Sequence, residues 1–348
     1  MNIPEYISKE RIPVATPDSI VDKNGQAVFG TFDSQFKNLN LLDCKKPCGP
    51  ASNKSRLTEW EAFEIDFDEC TIVSAVYDTA LLGFSIIVLF DKATKKVSVW
   101  QNYGKSHVAK NLINDNSYLK TKKSDVYIEN HLDIGKSYAR ESATNRKYGT
   151  IKFEINAERV SPISNVSIPF GKNKPLYSEK DFFKATGFIE VNGKRYESNE
   201  KSTVIIDDHK GYYPFKAHYD WLTTMDKIDI DGEKKYFAFN LTRNQSIDQD
   251  KYNENIVWLE GSSFPLTPVH FTHDKKNKKI WYVKDDHGLV DIKYVIDNKF
   301  RIGLHLLFID ISYDLTFGTL YGTIKGYDGK VYTLDGLTGI GEDKTTRL

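Results

Sequence analysis

Lys227-Ile-Asp-Ile-Asp-Gly-Glu-Lys-Lys-Tyr-Phe-Ala-Phe-Asn-Leu-Thr242 decides the fold class of this chain. Two runs with alternating apolar residues are joined by Asp231-Gly232, a dipeptide that readily takes the left-handed conformations of a two-residue type I′ turn. In the second run Phe237, Phe239 and Leu241 fall on one face of a strand, with Asn240, Thr242 and Asn244 on the other. The reading is strand, tight turn, strand. What the amide-bearing face meets, water or an enclosed cavity, decides whether Asn240 solubilises the strand or touches a ligand.

The same grammar extends outward. Downstream, strand-like runs at 256–259, 269–272, 279–283, 290–295, 316–324 and 331–337 alternate with turn signals such as Asp286-His287-Gly288 and Asp328-Gly329. Upstream, apolar runs at 84–90 and 97–100 flank a turn-like stretch at 91–95. Runs at 150–155, 187–191 and 203–206 follow, with Asn192-Gly193 as a second type I′ signal. Residues 102–148 are rich in Asn and Lys, and their alternation leaves the register of any strands open. The best helical periodicity, at 178–186, is brief, so the crossover helices of a doubly wound α/β fold are missing. The expectation is a mostly β protein with few helices, built of two antiparallel calycin- or lipocalin-like barrels or sandwiches packed side by side.

A length of 348 residues exceeds one ordinary core. The division expected is an irregular lead-in at 1–55, an N-terminal β domain at 56–200 and a C-terminal β domain at 201–348, parted near the polar run Glu197-Ser-Asn-Glu-Lys201. Trp60 and Trp221 each open a block in which an apolar hairpin follows within about thirty residues, a weak internal echo. Aromatic residues make up 13% of the chain, which favours pleated, half-buried surfaces. Lysine plus arginine and aspartate plus glutamate each total 48, leaving no basic surplus for a nucleic-acid partner.

The N-terminal Met-Asn-Ile-Pro-Glu-Tyr-Ile-Ser-Lys-Glu-Arg lacks the basic start and apolar core of a secretory signal. The longest apolar run, from Ala80 to Phe90, is broken by Gly83 and Ser85 and falls far short of the ~20 residues of a membrane span. Cys44, Cys48 and Cys70 cannot all pair with one another, so a reducing, cytoplasmic setting is expected.

Several clusters carry candidate chemistry, each beside a plain alternative. Asp207-Asp208-His209-Lys210-Gly211 places titratable groups directly after an apolar strand, as an acid or base or simply as a solvated strand end. His218 and Asp220 share a strand face opposite Trp221, a proton shuttle or a surface pair. Asn253-Glu254-Asn255 precedes Ile256-Val257-Trp258. Burial of Glu254 would raise its pKa toward that of a general acid, whereas exposure would make it part of a turn. His270 and His273 fall on opposite faces of a strand, and the cysteines lack zinc-finger spacing, so no metal site is expected. Walker, dinucleotide, nucleophile-elbow and zinc-protease motifs are missing, so no cofactor is expected.

Read in order, Asp208-His209-Lys210-Gly211-Tyr212, Trp221, Phe239-Asn240-Leu241-Thr242, and Tyr252-Asn253-Glu254-Asn255 with Trp258 and Gly261 resemble the core signature of the domain of unknown function 2804 family (DUF2804). Glu59-Trp60-Glu61 resembles its opening block. Val290-Asp291-Ile292, Phe317-Gly318-Thr319-Leu320-Tyr321-Gly322 and Gly339-Ile340-Gly341-Glu342-Asp343 resemble its last strands, so the likeness spans roughly 30–348. Two positions depart: Lys344 stands where a histidine is expected, and the terminal Leu348 where an aromatic is. The organisation is similar to that of two-domain, lipocalin-like proteins, which include carotenoid hydratases and lipocalin-like cyclases.

Three functional readings follow from residues and resemblance together. The first is binding of a hydrophobic or amphipathic small molecule in a lipocalin-like pocket, with cofactor-free hydration, dehydration or cyclisation if catalysis occurs. Asp208 or Glu254 would be the acid and His209 would assist. Tyr212, Trp221, Asn240, Asn253, Asn255 and Trp258 would line or orient the ligand. The alternative is carbohydrate binding or processing, with Glu254 and Asp208 as paired carboxylates. A partner-binding module without a pocket is the third possibility.

Overall fold

The computed structural model describes residues 3–47, 49, 53–79, 82–305 and 310–347, with the backbone alone for Leu304 and His305. Met1, Asn2, Cys48, Ala80 and Leu348, in stretches quoted above, lie outside the described residues. The chain folds as two compact units, one of residues 13–213 and one of residues 214–347 joined by residues 3–12. Almost all regular structure is strand, and no helix among the described residues is long and apolar enough to cross a membrane.

The first unit holds one antiparallel sheet. Its strands are β1 (Gly30–Phe32), β2 (Leu57–Asp66), β3 (Cys70–Asp78), β4 (Gly83–Asp91), β5 (Lys96–Tyr103), β6 (Ser106–His107) and β7 (Ser117–Lys120). They continue with β8 (Ser124–His131), β9 (Lys136–Asn145), β10 (Gly149–Arg159), β11 (Ser164–Pro169), β12 (Pro175–Val191), β13 (Lys194–Glu197) and β14 (Thr203–Tyr212). The spatial order is β5-β4-β3-β2-β14-β12-β10-β9-β8-β7-β6, with β1, β11 and β13 off this path.

The sheet curls on itself. Phe63, Ile72, Ile87 and Trp100 from β2 to β5 share one apolar core with Ile128, Ala139, Phe153, Phe183 and Ile206, so strands from opposite ends of the order meet. β9 shows why: Ser137, Ala139, Glu141 and Ala143 are buried while Lys136, Arg140, Ser142 and Thr144 are exposed, a strict period of two. β10 repeats it with Ile151, Phe153, Ile155 and Ala157 inward. Residues 102–148, whose register the sequence left open, thus contain β6 to β9.

β2, β14 and the first half of β12 are buried on both faces. This explains the one misleading periodicity. Residues 178–186 belong to the 17-residue strand β12, where Glu179, Asp181 and Phe183 face one way and Ser178, Lys180 and Phe182 the other. Burial of both faces removes the polar alternation that announces a strand. β12 needs glycine at Gly187, where φ is +143° and a Cβ would lie 1.9 Å from the Glu154 carbonyl oxygen of β10. The lead-in packs Ile20, Val21, Phe32, Phe36 and Leu41 against Tyr177 and Tyr212.

The second unit repeats the plan with β15 (Lys216–Ile230), β16 (Glu233–Arg243), β17 (Ile256–Leu259), β18 (Ser262–Pro265) and β19 (Val269–His273). β20 (Ile280–Asp285), β21 (Val290–His305), β22 (Asp310–Lys325), β23 (Val331–Thr333) and β24 (Thr338–Arg347) complete it. The order is β18-β17-β16-β15-β24-β22-β21-β20-β19, with β23 beside β22. Asp231 and Gly232 both have positive φ in the β15–β16 turn, as the opening stretch requires. Phe237, Phe239 and Leu241 are fully buried with Trp281, Val283 and Tyr294, so this sheet curls too.

Candidate active site

Adjacent residues of a strand point to opposite faces, and β14 therefore sorts the Asp207–Lys210 cluster into two environments. Asp208 and Lys210 face one way, Asp207 and His209 the other. In the pairing register Asp208 stands opposite Glu61 of β2 on one side and Glu179 of β12 on the other. Three carboxyl groups thus form a row across three strands, all with essentially no solvent exposure. Like charges directly opposite destabilise a sheet, so each must be paired or protonated.

The structure does both. Lys210 Nζ pairs with both oxygens of Asp208, and both residues are fully buried. Glu61 accepts from Asn130 Nδ2 of β8 at 2.7 Å and from the Ser117 hydroxyl of β7. Glu179 accepts from Gln35 Nε2 at 2.6 Å and from the Tyr177 hydroxyl at 2.5 Å. Burial, opposed by Lys210, holds Asp208 at about 6. Burial and the Asp208 charge push Glu61 up to about 7, and burial and Asp181 push Glu179 to about 8.

A fourth acid joins from across the interior. Glu141 of β9 sits between Ala139 and Ala143 on the inward face, opposite the apolar Phe153 and Val126. Its Oε2 accepts from the Ser74 hydroxyl of β3, whereas its Oε1, fully buried, has no hydrogen-bond partner among the described residues. Burial, reinforced by Glu61, pushes the group to about 8 against the pull of Ser74. At neutral pH Glu141 is a protonated acid with an uncommitted oxygen, beside a Glu61 near its midpoint. Two carboxyl groups tuned apart in this way can divide the roles of proton donor and acceptor.

The opposite face of β14 is aromatic. His209 Nε2 lies 2.6 Å from Ser178 Oγ and 3.3 Å from Asp207 Oδ1, and its ring packs on Trp60 at 4.7 Å. Trp60 continues into a stack with Tyr77, itself 4.5 Å from Phe84. The strand therefore separates His209 from Asp208. Tyr212 donates to the Leu41 carbonyl at 2.9 Å, inside the lead-in core.

The other residues singled out in the sequence belong to the second unit. Trp221 Nε1 donates to Asn240 Oδ1 at 2.6 Å, and Asn240 Nδ2 donates to the Glu254 carbonyl at 2.8 Å. Asn255 accepts from the Thr242 amide at 2.7 Å and donates to the Thr267 carbonyl at 3.1 Å. Asn253 accepts from the Asn255 amide and donates to the Gln249 carbonyl, while Glu254 Oε1 accepts from Asn244 at 3.0 Å. Buried Arg11 donates to the Asn253 and Asn255 carbonyls, the latter at 2.7 Å. These bonds fasten residues 244–255 to β16. Trp258 is fully buried on β17, opposite Ala238. Asp208, His209 and Tyr212 thus lie in one unit, and Trp221, Asn240, Asn253, Glu254, Asn255 and Trp258 in the other.

The sequence matches the model of the family described as Domain of unknown function (DUF2804) over residues 11–348. The chain belongs to the DUF2804 family. No curated protein matches it. Among solved structures this DUF2804 chain is similar to CghA crystallised with Sch210972, at 10% identity over 84% of this chain and 89% of that one, with a TM-score of 0.50. It is also similar to kievitone hydratase from Nectria haematococca, at 12% identity over 83% and 88%, with a TM-score of 0.49. At such identities the likeness concerns fold: two-domain, lipocalin-like architecture.

Glu61, Glu141 and Glu179 were not among the sequence candidates of this DUF2804 chain. Glu61 lies in the Glu59-Trp60-Glu61 stretch used for the family likeness, where it reads as ordinary alternation. A signal for Glu141 existed in Ser137, Ala139, Glu141 and Ala143, a lone acid among small residues on one face of a strand.

Proposed function

We propose that the first unit takes an apolar or amphipathic small molecule into its curled sheet and performs cofactor-free acid–base chemistry on it, by hydration, dehydration or cyclisation. Glu141 acts as general acid and Glu61 as general base. The observation that carries the reading is the buried Oε1 of Glu141, without a hydrogen-bond partner among the described residues, on an acid held at about 8. Asp208, with Lys210 fixed to it, supports the negative end of the network and helps to hold Glu61 near 7. The aromatic face around Trp60, with His209, lies on the other side of β14 from these acids and takes no part in the proposed step. CghA, of the same fold, was crystallised with Sch210972, which supports a small-molecule occupant by analogy of fold alone.

For dehydration, Glu141 Oε1 gives its proton to the hydroxyl of a bound alcohol, the C–O bond breaks and water departs. The electron pair of a neighbouring C–H bond closes the alkene as its proton passes to the Glu61 carboxylate. Hydration reverses these steps, and in cyclisation an internal nucleophile takes the place of water. Alanines beside Glu141 and the apolar Phe153 and Val126 opposite it keep the medium of low polarity, which strengthens each proton transfer.

The test is untargeted mass spectrometry of small-molecule extracts from the native host, incubated with the purified protein. The wild type should interconvert a pair of compounds that differ by one water, or a pair of isomers. Glu141→Gln and Glu61→Gln should fail to do so, while Ser142→Ala, on the outer face of β9, acts as wild type. Conversion undiminished in Glu141→Gln, or none by the wild type, overturns the reading.

A further inference from the structure

The second unit brings together four side chains far apart in sequence. His218 and Asp220 share one face of β15, and antiparallel pairing sets Asp343 of β24 directly opposite Asp220. β19, at the end of the spatial order, delivers His273 to the same place. Its Nε2 lies 2.9 Å from Asp220 Oδ1 and its Nδ1 3.6 Å from Asp343 Oδ2. His218 Nε2 lies 3.3 Å from Asp220 Oδ2. One ligand atom from each of His218, Asp220 and Asp343 falls within 4.8 Å of the others.

We propose that His218, Asp220 and Asp343, with His273 as the adjoining fourth donor, form a binding site for a divalent metal ion of the zinc type. Imidazole nitrogen with carboxylate oxygen is the donor set that such ions take, and three protein ligands with a position left for water is a common arrangement.

Three features favour an ion over a simple His–Asp network. First, Asp220 and Asp343 oppose each other across the strands, and among the described residues neither has a lysine or arginine partner. The next carboxylate in that row, Asp314, is neutralised by Arg301 and Lys299. Second, both imidazoles are oriented from outside: Thr345 Oγ1 lies 3.0 Å from His218 Nδ1, and Trp281 stacks on the His273 ring at 4.6 Å and 4°. A hydrogen bond to the second ring nitrogen fixes the tautomer of a metal-binding histidine, and packing against its face fixes the ring plane. Third, access is graded. Asp220 is 10% exposed at the base and His218 52% exposed at the rim, so an ion can enter without unfolding. Sequence spacing could not reveal the site, since only His218 and Asp220 are close along the chain; His270, near His273, turns instead to Asp286.

Calorimetric titration of zinc chloride into chelator-treated, full-length protein tests the proposal. One ion should bind per chain, and His218→Ala and Asp343→Asn should each weaken binding by at least ~10-fold, while His270→Ala binds as wild type. Cobalt(II) should give visible d–d absorption that Asp343→Asn abolishes. His218 is half-exposed, so its replacement leaves the fold intact and keeps the test decisive. Zinc uptake equal in wild type and His218→Ala, or none by the wild type, overturns the assignment.

Discussion

Replacing Glu141 with glutamine should stabilise the first unit at alkaline pH while removing the proposed acid. Burial raises the group from the ordinary 4.5 to about 8 in the folded state. Below pH 4.5 both states hold the proton, and the folded state keeps its full stability. Between 4.5 and 8 the unfolded chain ionises and the folded one does not, so stability falls by about 1.4 kcal/mol per pH unit. Above 8 the loss is complete. From pH 5 to pH 8 the wild type therefore loses ~4 kcal/mol through this residue, a loss that glutamine escapes.

The amide leaves one N–H unpaired beside Ser74, a penalty of about 1–3 kcal/mol at every pH. Glu141→Gln is thus expected to be less stable than wild type at pH 5 and more stable at pH 8. Urea unfolding read by hydrogen exchange on peptides of residues 136–145 scores the first unit separately, which a chain of two units requires. Parallel pH dependence in variant and wild type, within ~1 kcal/mol, would refute the reasoning.

Lys210→Met strands the fully buried Asp208 and should destabilise the first unit by ~3–5 kcal/mol in urea denaturation, most of it recovered when Asp208→Asn is added. Arg11→Met removes charged donors from the Asn253 and Asn255 carbonyls. It should cost the second unit ~2–3 kcal/mol, with faster amide exchange confined at first to residues 244–255.

Much of the fold was legible because local chemistry and tertiary structure agree. Asn192-Gly193 and Asp231-Gly232 both take positive φ in two-residue turns, and the Phe237, Phe239, Leu241 face lies in the core as its spacing requires. The strand β12 was illegible where it is buried on both faces, since a period of two needs one wet face. The site was half legible. Asp208 announced itself as a charged group at the end of an apolar run, yet its placement opposite Glu61 depends on a pairing between strands more than a hundred residues apart, and its placement opposite Glu179 on the register of β12 with β14. Glu141 joins them only because the sheet curls, and His273 meets Asp220 for the same reason.

Carboxyl-carbon NMR of protein labelled at glutamate, titrated from pH 4 to 10 in wild type and Glu141→Gln, bears most directly on the claim that the first unit holds a protonated acid ready for catalysis. A glutamate resonance with its midpoint at about 8 is expected in the wild type and missing from Glu141→Gln. If the resonance lost in that variant titrates near the ordinary 4.5 instead, Glu141 is ionised at neutral pH and cannot be the acid.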